Sequence, residues 1–222
     1  MTKELVLSVL ACVAIGYLIG CISPAFFAGK RRGYDVRETG SKNAGASNVL
    51  IMAGKFAGAI VALLDIFKAF GSWKLAEAIF PELPAAGMIA GASCVFGHMY
   101  PVFLGFRGGK GLACLGGLAL AGGARMFLIM LAVALLIALI SNYICIVAVS
   151  MSLIIPLYFG LSTGCVPGAL ILALPAPLII YKHRENFHRI AEGKEIRLSF
   201  LWKRDSELER AGYAAVIDED EL

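Results

Sequence analysis

The chain has 222 residues, 59% hydrophobic and only 16% charged, with 20 Lys and Arg against 16 Asp and Glu and a mean hydropathy of +0.79. Soluble domains carry about 25% charged residues, so an ordinary water-soluble fold is excluded, and the apolar content excludes intrinsic disorder. A bilayer span needs roughly 20 apolar residues, and Met126 to Tyr181 offers 56 in a row without Asp, Glu, Lys, Arg or His.

The pattern predicts an all-α polytopic membrane protein with about seven spans, some of them short. The first is Leu5–Phe27. A single Lys3 precedes it, and a cleaved leader is the lesser reading. Next comes a polar loop ending in Arg37-Glu38-Thr39-Gly40-Ser41-Lys42-Asn43-Ala44-Gly45-Ala46-Ser47-Asn48. It runs straight into a helix, so its backbone amides are expected to form an anion nest. The plainer reading is a loop capped by Ser47 or Asn48.

The second span, Phe56–Phe80, contains Asp65 and Lys68. Intramembrane charges are costly and tend to pair, so an ion pair is expected rather than a proton relay. The third span, Ala85–Phe106, leads into Arg107-Gly108-Gly109-Lys110-Gly111. Its glycines and two cations suit a phosphate cradle, although Leu112 breaks the spacing of a nucleotide-binding P-loop. The alternative is a cationic loop at lipid headgroups. The fourth segment, Gly111–Ala124, is short and glycine-rich, as a half-span would be. Met126–Ser141, Ile144–Gly160 and Val166–Tyr181 complete the set.

Directly after the last span lies Lys182-His183-Arg184-Glu185-Asn186-Phe187-His188-Arg189. His183, Asn186 and Arg189 would share one face if the helix continued, suiting either a phosphate or a mere topology anchor. The division expected is a membrane-embedded domain over 1–197 and a charged tail over 198–222, with Asp218 to Glu221 solvated. Fifteen of the 20 cations fall in loop 28–48, loop 105–111 and the stretch from Lys182 onward. The positive-inside rule therefore puts the N-terminus outside and the C-terminus in the cytoplasm. The six cysteines lie in or beside apolar segments without a CxxC pair, and read as small buried or lipid-facing residues.

Taken together, the three polar segments resemble the bacterial integral-membrane glycerol-3-phosphate acyltransferases that use acyl phosphate, the PlsY type. The matches are Gly40-Ser41, Asn43, Gly45 and Asn48; Asp65 and Lys68; Gly97-His98 with Pro101 through Gly111; and His183-Arg184 with Asn186, Arg189, Gly193 and Glu195. The resemblance implies a seven-helix bundle in the bacterial cell membrane with its active site at the cytoplasmic face. It also implies acyl transfer from acyl phosphate to the 1-hydroxyl of sn-glycerol 3-phosphate, giving lysophosphatidic acid and phosphate.

In that reading Ser41, Lys110 and His183 carry the chemistry, Asn186 orients the acceptor, and Gly108 and Gly109 lend amides to the acyl phosphate. Arg37, Gly40, Lys42, Asn43, Gly45, Asn48, His98, Arg107 and Gly111 complete the substrate-binding set. No cofactor, metal or nucleic acid is implied. The partners are the two substrates, membrane lipids and an acyl-phosphate-forming enzyme that hands over the donor. The rivals are a small-anion or phosphate transporter, and a CDP-alcohol phosphotransferase, for which Asp65 alone is too few metal-binding carboxylates. This chain departs from the family at Ile51, where an Arg is usual, at Lys42 and Ala69, where Gly is usual, and at Cys145, where Ser is common. Lys42 either compensates for the missing arginine or simply joins the inward positive charge.

Overall fold

The computed structural model describes residues 2–213, so the acidic end lies outside the described residues. Its helices are α1 (Lys3–Gly20), α2 (Pro24–Arg31), α3 (Ala46–Ile79), α4 (Ala86–Met99), α5 (Leu112–Ala121), α6 (Ala124–Ser141), α7 (Ile144–Thr163), α8 (Val166–Ala173), α9 (Ala176–Lys182), α10 (Arg184–Ala191) and α11 (Arg204–Ala211). Single 3-10 turns occupy Val102–Leu104 and Leu198–Leu201. By length and composition five helical stretches can cross a membrane, or six when the bent pair of Val166–Lys182 with Arg184–Ala191 is counted as one. All seven expected segments are helical, but α5 has 10 residues. At 1.5 Å per residue it reaches about 15 Å, half of the hydrocarbon core.

Two breaks were not expected. The first span stops at Gly20, and a new helix starts where Ser23 Oγ accepts the Phe26 N–H at 3.3 Å with Pro24 in the first turn. These are ordinary helix-start signals, but here they lie inside an apolar run. The second break is at Gly54, whose φ of +86° interrupts α3. It folds the stretch before it back against the span, so that a Cβ on Gly58 would lie 2.5 Å from Leu50 Cβ. Residues 46–53 therefore turn back against the span instead of continuing its axis. The helix cap is Gly45, without a side-chain bond, so neither Ser47 nor Asn48 caps it.

Without a hydrophobic driving force between helices in lipid, close packing needs small residues. On α1 and α4 a Cβ at Gly16, Gly20 or Gly97 would come within 2.0 to 2.2 Å of a carbonyl oxygen of the facing helix. On α5, a Cβ at Gly117 would lie 2.2 Å from Ile66 O of α3. Leu139, Ile140, Leu157 and Leu170 are exposed, as lipid-facing residues are. All six cysteines are free thiols, five of them buried.

Candidate functional site

The first polar segment is held together by its own groups. Asn48, fully buried, accepts the Ser41 N–H at 2.8 Å and donates to Val36 O at 2.9 Å and Thr39 O at 3.0 Å. Its amide thus folds the loop, with all three of these bonds made inside the protein. Gly40 (φ +59°) lies so close that a Cβ would meet Asn48 Oδ1 at 2.3 Å. Arg37 is likewise occupied, with both Asp35 oxygens, with Leu104 O at 3.0 Å, and over the Phe26 ring at 5.1 Å. The guanidinium holds the Asp35 carboxyl below the usual carboxylate range. Ser41 keeps its hydroxyl without a partner, and Lys42 is exposed with no side-chain partner, both among the described residues. Lys42 has φ +57°, a conformation natural to the glycine usual there.

The second segment docks on the first. Arg107 donates to Glu38 Oε1 at 2.6 Å and to Arg37 O at 2.8 Å, so it clamps the loop and is not a free phosphate ligand. Gly45 nears Gly109, a Cβ on it lying 3.8 Å from Gly109 Cα, while Asn43 O accepts the Gly45 N–H at 2.9 Å. The amides of Gly108 and Gly109 donate to Met99 O at 3.2 Å and His98 O at 3.0 Å. Both amides therefore turn inward, toward the end of α4. Their missing side chains are what matters, since a Cβ would lie 2.0 Å from His98 O at Gly108 and 2.1 Å from His98 Nε2 at Gly109. The donors left at this loop are the first amides of α5, which have no partner within the helix. Gly111, with φ +95°, makes the turn into it.

His98 lies beneath this loop and is engaged with the buried charges of α3. It is buried, with Nδ1 3.0 Å from Lys68 Nζ and 3.4 Å from Asp65 Oδ1. Lys68 Nζ lies 2.7 Å from Asp65 Oδ1 and donates to Ile22 O at 2.7 Å, closing the expected ion pair. Asp65, His98 and Cys114 offer three ligand atoms within 4.8 Å of one another. The Lys68 ammonium already fills the cation position among them, and its charge opposes a metal there.

The third segment completes the convergence. The helix does not continue past Lys182 but bends by 42°, with His183 at the break. His183 is buried, and Nδ1 lies 2.7 Å from Ile179 O. A carbonyl can only accept, so Nδ1 carries the hydrogen and Nε2 is left as acceptor. Burial, with Lys110 and other cations adding to it, lowers the His183 pKa to about 4. Asn186 is also buried. Its Oδ1 accepts the Lys110 ammonium and its Nδ2 donates to Glu195 Oε1 at 2.5 Å, while Arg189 Nε meets Glu195 Oε2 at 2.7 Å. The Lys110 pKa is lowered, first by burial and then by Arg189.

Lys110 is therefore bonded to Asn186, with His183 within electrostatic reach, and the pair lies beside the first loop where Gly45 nears Gly109. Ser41 belongs to that first loop, with no direct contact to Lys110 recorded. Two working residues had been given no role. Lys182 reaches Met99 O at 2.8 Å and ties the third segment to the second, and Glu195 orients Asn186. Only the juxtamembrane position of the one and the motif match of the other pointed to them. The arrangement offers a half-buried ammonium, helix-end amides and a neutral imidazole acceptor at one end of an apolar bundle, which suits an anion carrying a hydroxyl.

Residues 10–193 match the family model described as glycerol-3-phosphate acyltransferase. A protein of that name from Geobacillus kaustophilus is 35% identical over 191 residues, spanning 86% of this chain and 96% of its own. One from Bordetella petrii is 37% identical over 195 residues, spanning 85% and 92%. Among solved structures, PlsY, an integral membrane glycerol 3-phosphate acyltransferase, matches in its glycerol 3-phosphate form. The TM-score is 0.79 at 34% identity, covering 87% of this chain and 97% of that one. Its lysophosphatidic acid form matches with a TM-score of 0.76.

Proposed function

The chain belongs to the integral-membrane glycerol-3-phosphate acyltransferases of phospholipid synthesis, and from that premise we propose that it transfers an acyl chain from acyl phosphate to the 1-hydroxyl of sn-glycerol 3-phosphate at the cytoplasmic face of the bacterial inner membrane. The observation that carries this reading is the bond between Lys110 and Asn186, from two distant segments, with His183 within electrostatic reach of Lys110, at the rim of an apolar bundle. Lys110 and the first amides of α5 hold phosphate oxygens. Charge-assisted hydrogen bonds of this kind contribute about 1.5–3 kcal/mol each. Ser41, with its unspent hydroxyl, adds a donor from the first loop, and Asn186 fixes the direction of the Lys110 ammonium.

The donor is a mixed anhydride and already activated, so no covalent enzyme intermediate is needed. The C1 hydroxyl oxygen attacks the acyl carbon, the bond from that carbon to the phosphate oxygen breaks, and lysophosphatidic acid and inorganic phosphate result. With a pKa of about 4, His183 is too weak a base to hold the proton at neutral pH. Its Nε2 aligns the hydroxyl as an acceptor while the departing phosphate takes the proton, so that catalysis rests chiefly on proximity. Nothing in the three segments suits the nucleotide of coenzyme A, and an acyl-phosphate-forming enzyme is the matching supplier. Purified protein given acyl phosphate and labelled glycerol 3-phosphate is expected to yield lysophosphatidate, and acyl-CoA is expected to give none. Equal rates with acyl-CoA would remove the donor assignment.

A further inference from the structure

The family match ends at residue 193, yet the chain continues through an ordered segment that returns to the site. Leu198 N–H and Ser199 N–H bond to Asn142 at the α6–α7 turn, at 2.7 and 3.1 Å. Phe200 and Leu208, both buried, pack on Ile51, and Lys55 donates to Leu201 O. Ile51, at a position where the resemblance implies Arg, is thus the floor beneath this returning segment. It is 5% exposed and does not face a phosphate pocket.

The returning segment also holds part of the site. Arg210 donates to Gly193 O and, at 2.6 Å, to Glu195 O. Glu207, buried and 2.6 Å from Arg210, fixes the guanidinium and accepts from Ser199 Oγ at 3.0 Å. Gly193 (φ +73°) and Glu195 form the turn whose carboxylate grips both Asn186 and Arg189. One unbroken relay therefore runs from Arg210 to the Glu195 backbone, from its carboxylate to Asn186, and from Asn186 to Lys110.

We propose that residues 198–213 are an intrinsic cap and that Arg210 is a positioning residue for the phosphate-binding lysine, acting through Glu195 and Asn186. The proposal rests on the glycerol 3-phosphate reading of the site. Without the Arg210 bonds the 193–195 turn relaxes, Asn186 loses its fixed orientation, and the Lys110 ammonium is no longer aimed. The cost falls on acceptor binding and not on the chemistry of the activated donor. Arg210→Gln in the full-length protein is expected to raise KM for glycerol 3-phosphate about tenfold with kcat changed less than threefold. Arg210→Lys, which keeps one cation but not the fork, is expected to raise it two- to fivefold.

Asn186→Ala combined with Arg210→Gln should be no worse than Asn186→Ala alone, as a shared relay requires. A purely structural role would instead lower kcat and KM effects together and add to Asn186→Ala. An unchanged KM in Arg210→Gln overturns the proposal. Should that variant not purify as a folded protein, an unchanged KM in Arg210→Lys overturns it equally. Calorimetric binding of glycerol 3-phosphate to wild type and variants separates the two readings. Wild-type binding without turnover would sink the acyltransfer reading, while the tenfold loss of affinity in Arg210→Gln would still uphold the relay.

Discussion

The ammonium of Lys110 donates to Oδ1 of Asn186, 76 residues away in sequence, and this bond ties the second polar segment to the third. Lys110→Ala removes both the cation and the tie. It is expected to abolish detectable acyl transfer while leaving a folded protein in the membrane. Arg107→Lys keeps a cation beside Glu38 on an exposed surface and should cost less than threefold. Near-normal turnover in Lys110→Ala would contradict the assignment.

Acceptor binding should weaken as pH rises. The Lys110 pKa lies below the usual 10.5 because of burial and the Arg189 charge. The charged form binds the anion and is lost as pH rises through that lowered value. Arg189→Gln removes a like charge and leaves Glu195 less compensated, so the alkaline break in kcat/KM should move upward. His183, at about 4, stays neutral between pH 5 and 8 and should contribute no break there. A histidine-like inflection near 6.5 that vanishes in His183→Gln would refute this part.

Lys42 can be tested against strain. A side chain at φ +57° is unfavourable by roughly 1–2 kcal/mol. Lys42→Gly should therefore leave thermal stability equal or higher. As a compensating cation, Lys42 further predicts a several-fold rise in KM for glycerol 3-phosphate in the same variant. A stability gain with KM unchanged would reduce Lys42 to an inward positive charge.

Ile51→Arg, an apparent return to the family residue, should harm this protein. The guanidinium would enter an apolar contact with Phe200 and Leu208, and an unpaired buried charge is costly. Limited proteolysis should then cut within 198–213 faster than in wild type. Wild-type cleavage rates would show that the cap does not depend on this contact.

Orientation follows from where the cations gather. A cysteine at Thr39 in a cysteine-depleted background should resist impermeant thiol reagents in intact cells, whereas one at Gly123 should react. Labelling at Thr39 before lysis as readily as at Gly123 would overturn the proposed topology.

Hydropathy made the helical segments legible, because apolar runs and glycine turns act over whole spans. The Gly54 elbow was not legible, since glycine is common within membrane helices and nothing local marks a positive φ. The three site segments could be read as a set from residue types. The direction of the Gly108 and Gly109 amides could not, because composition does not say whether an amide faces a ligand or the carbonyls of Met99 and His98. For Asn48 the loop-folding bonds were not legible for a related reason, as a buried amide that folds a loop has the same chemistry as one that binds substrate. The reach of Arg210 to Glu195 depends on a chain return that no periodicity encodes.

The seam between α1 and α4 has a consequence for sequence drift. At Gly16, Gly20 and Gly97 a single added carbon would fall on a main-chain oxygen of the neighbouring helix, and main chain cannot rotate away as a side chain can. Under saturation mutagenesis with selection for growth, these three positions should tolerate no replacement, whereas Leu7 and Leu10, 65% and 58% exposed on the same helix, should accept any apolar residue. Because α4 carries His98 at its end, the same seam sets the depth at which the phosphate-binding loop rests. One face of α1 is therefore closed to substitution because of where it seats α4, and Tyr17 on the same helix donates to Tyr100 O at 2.8 Å, while its other face is free to vary.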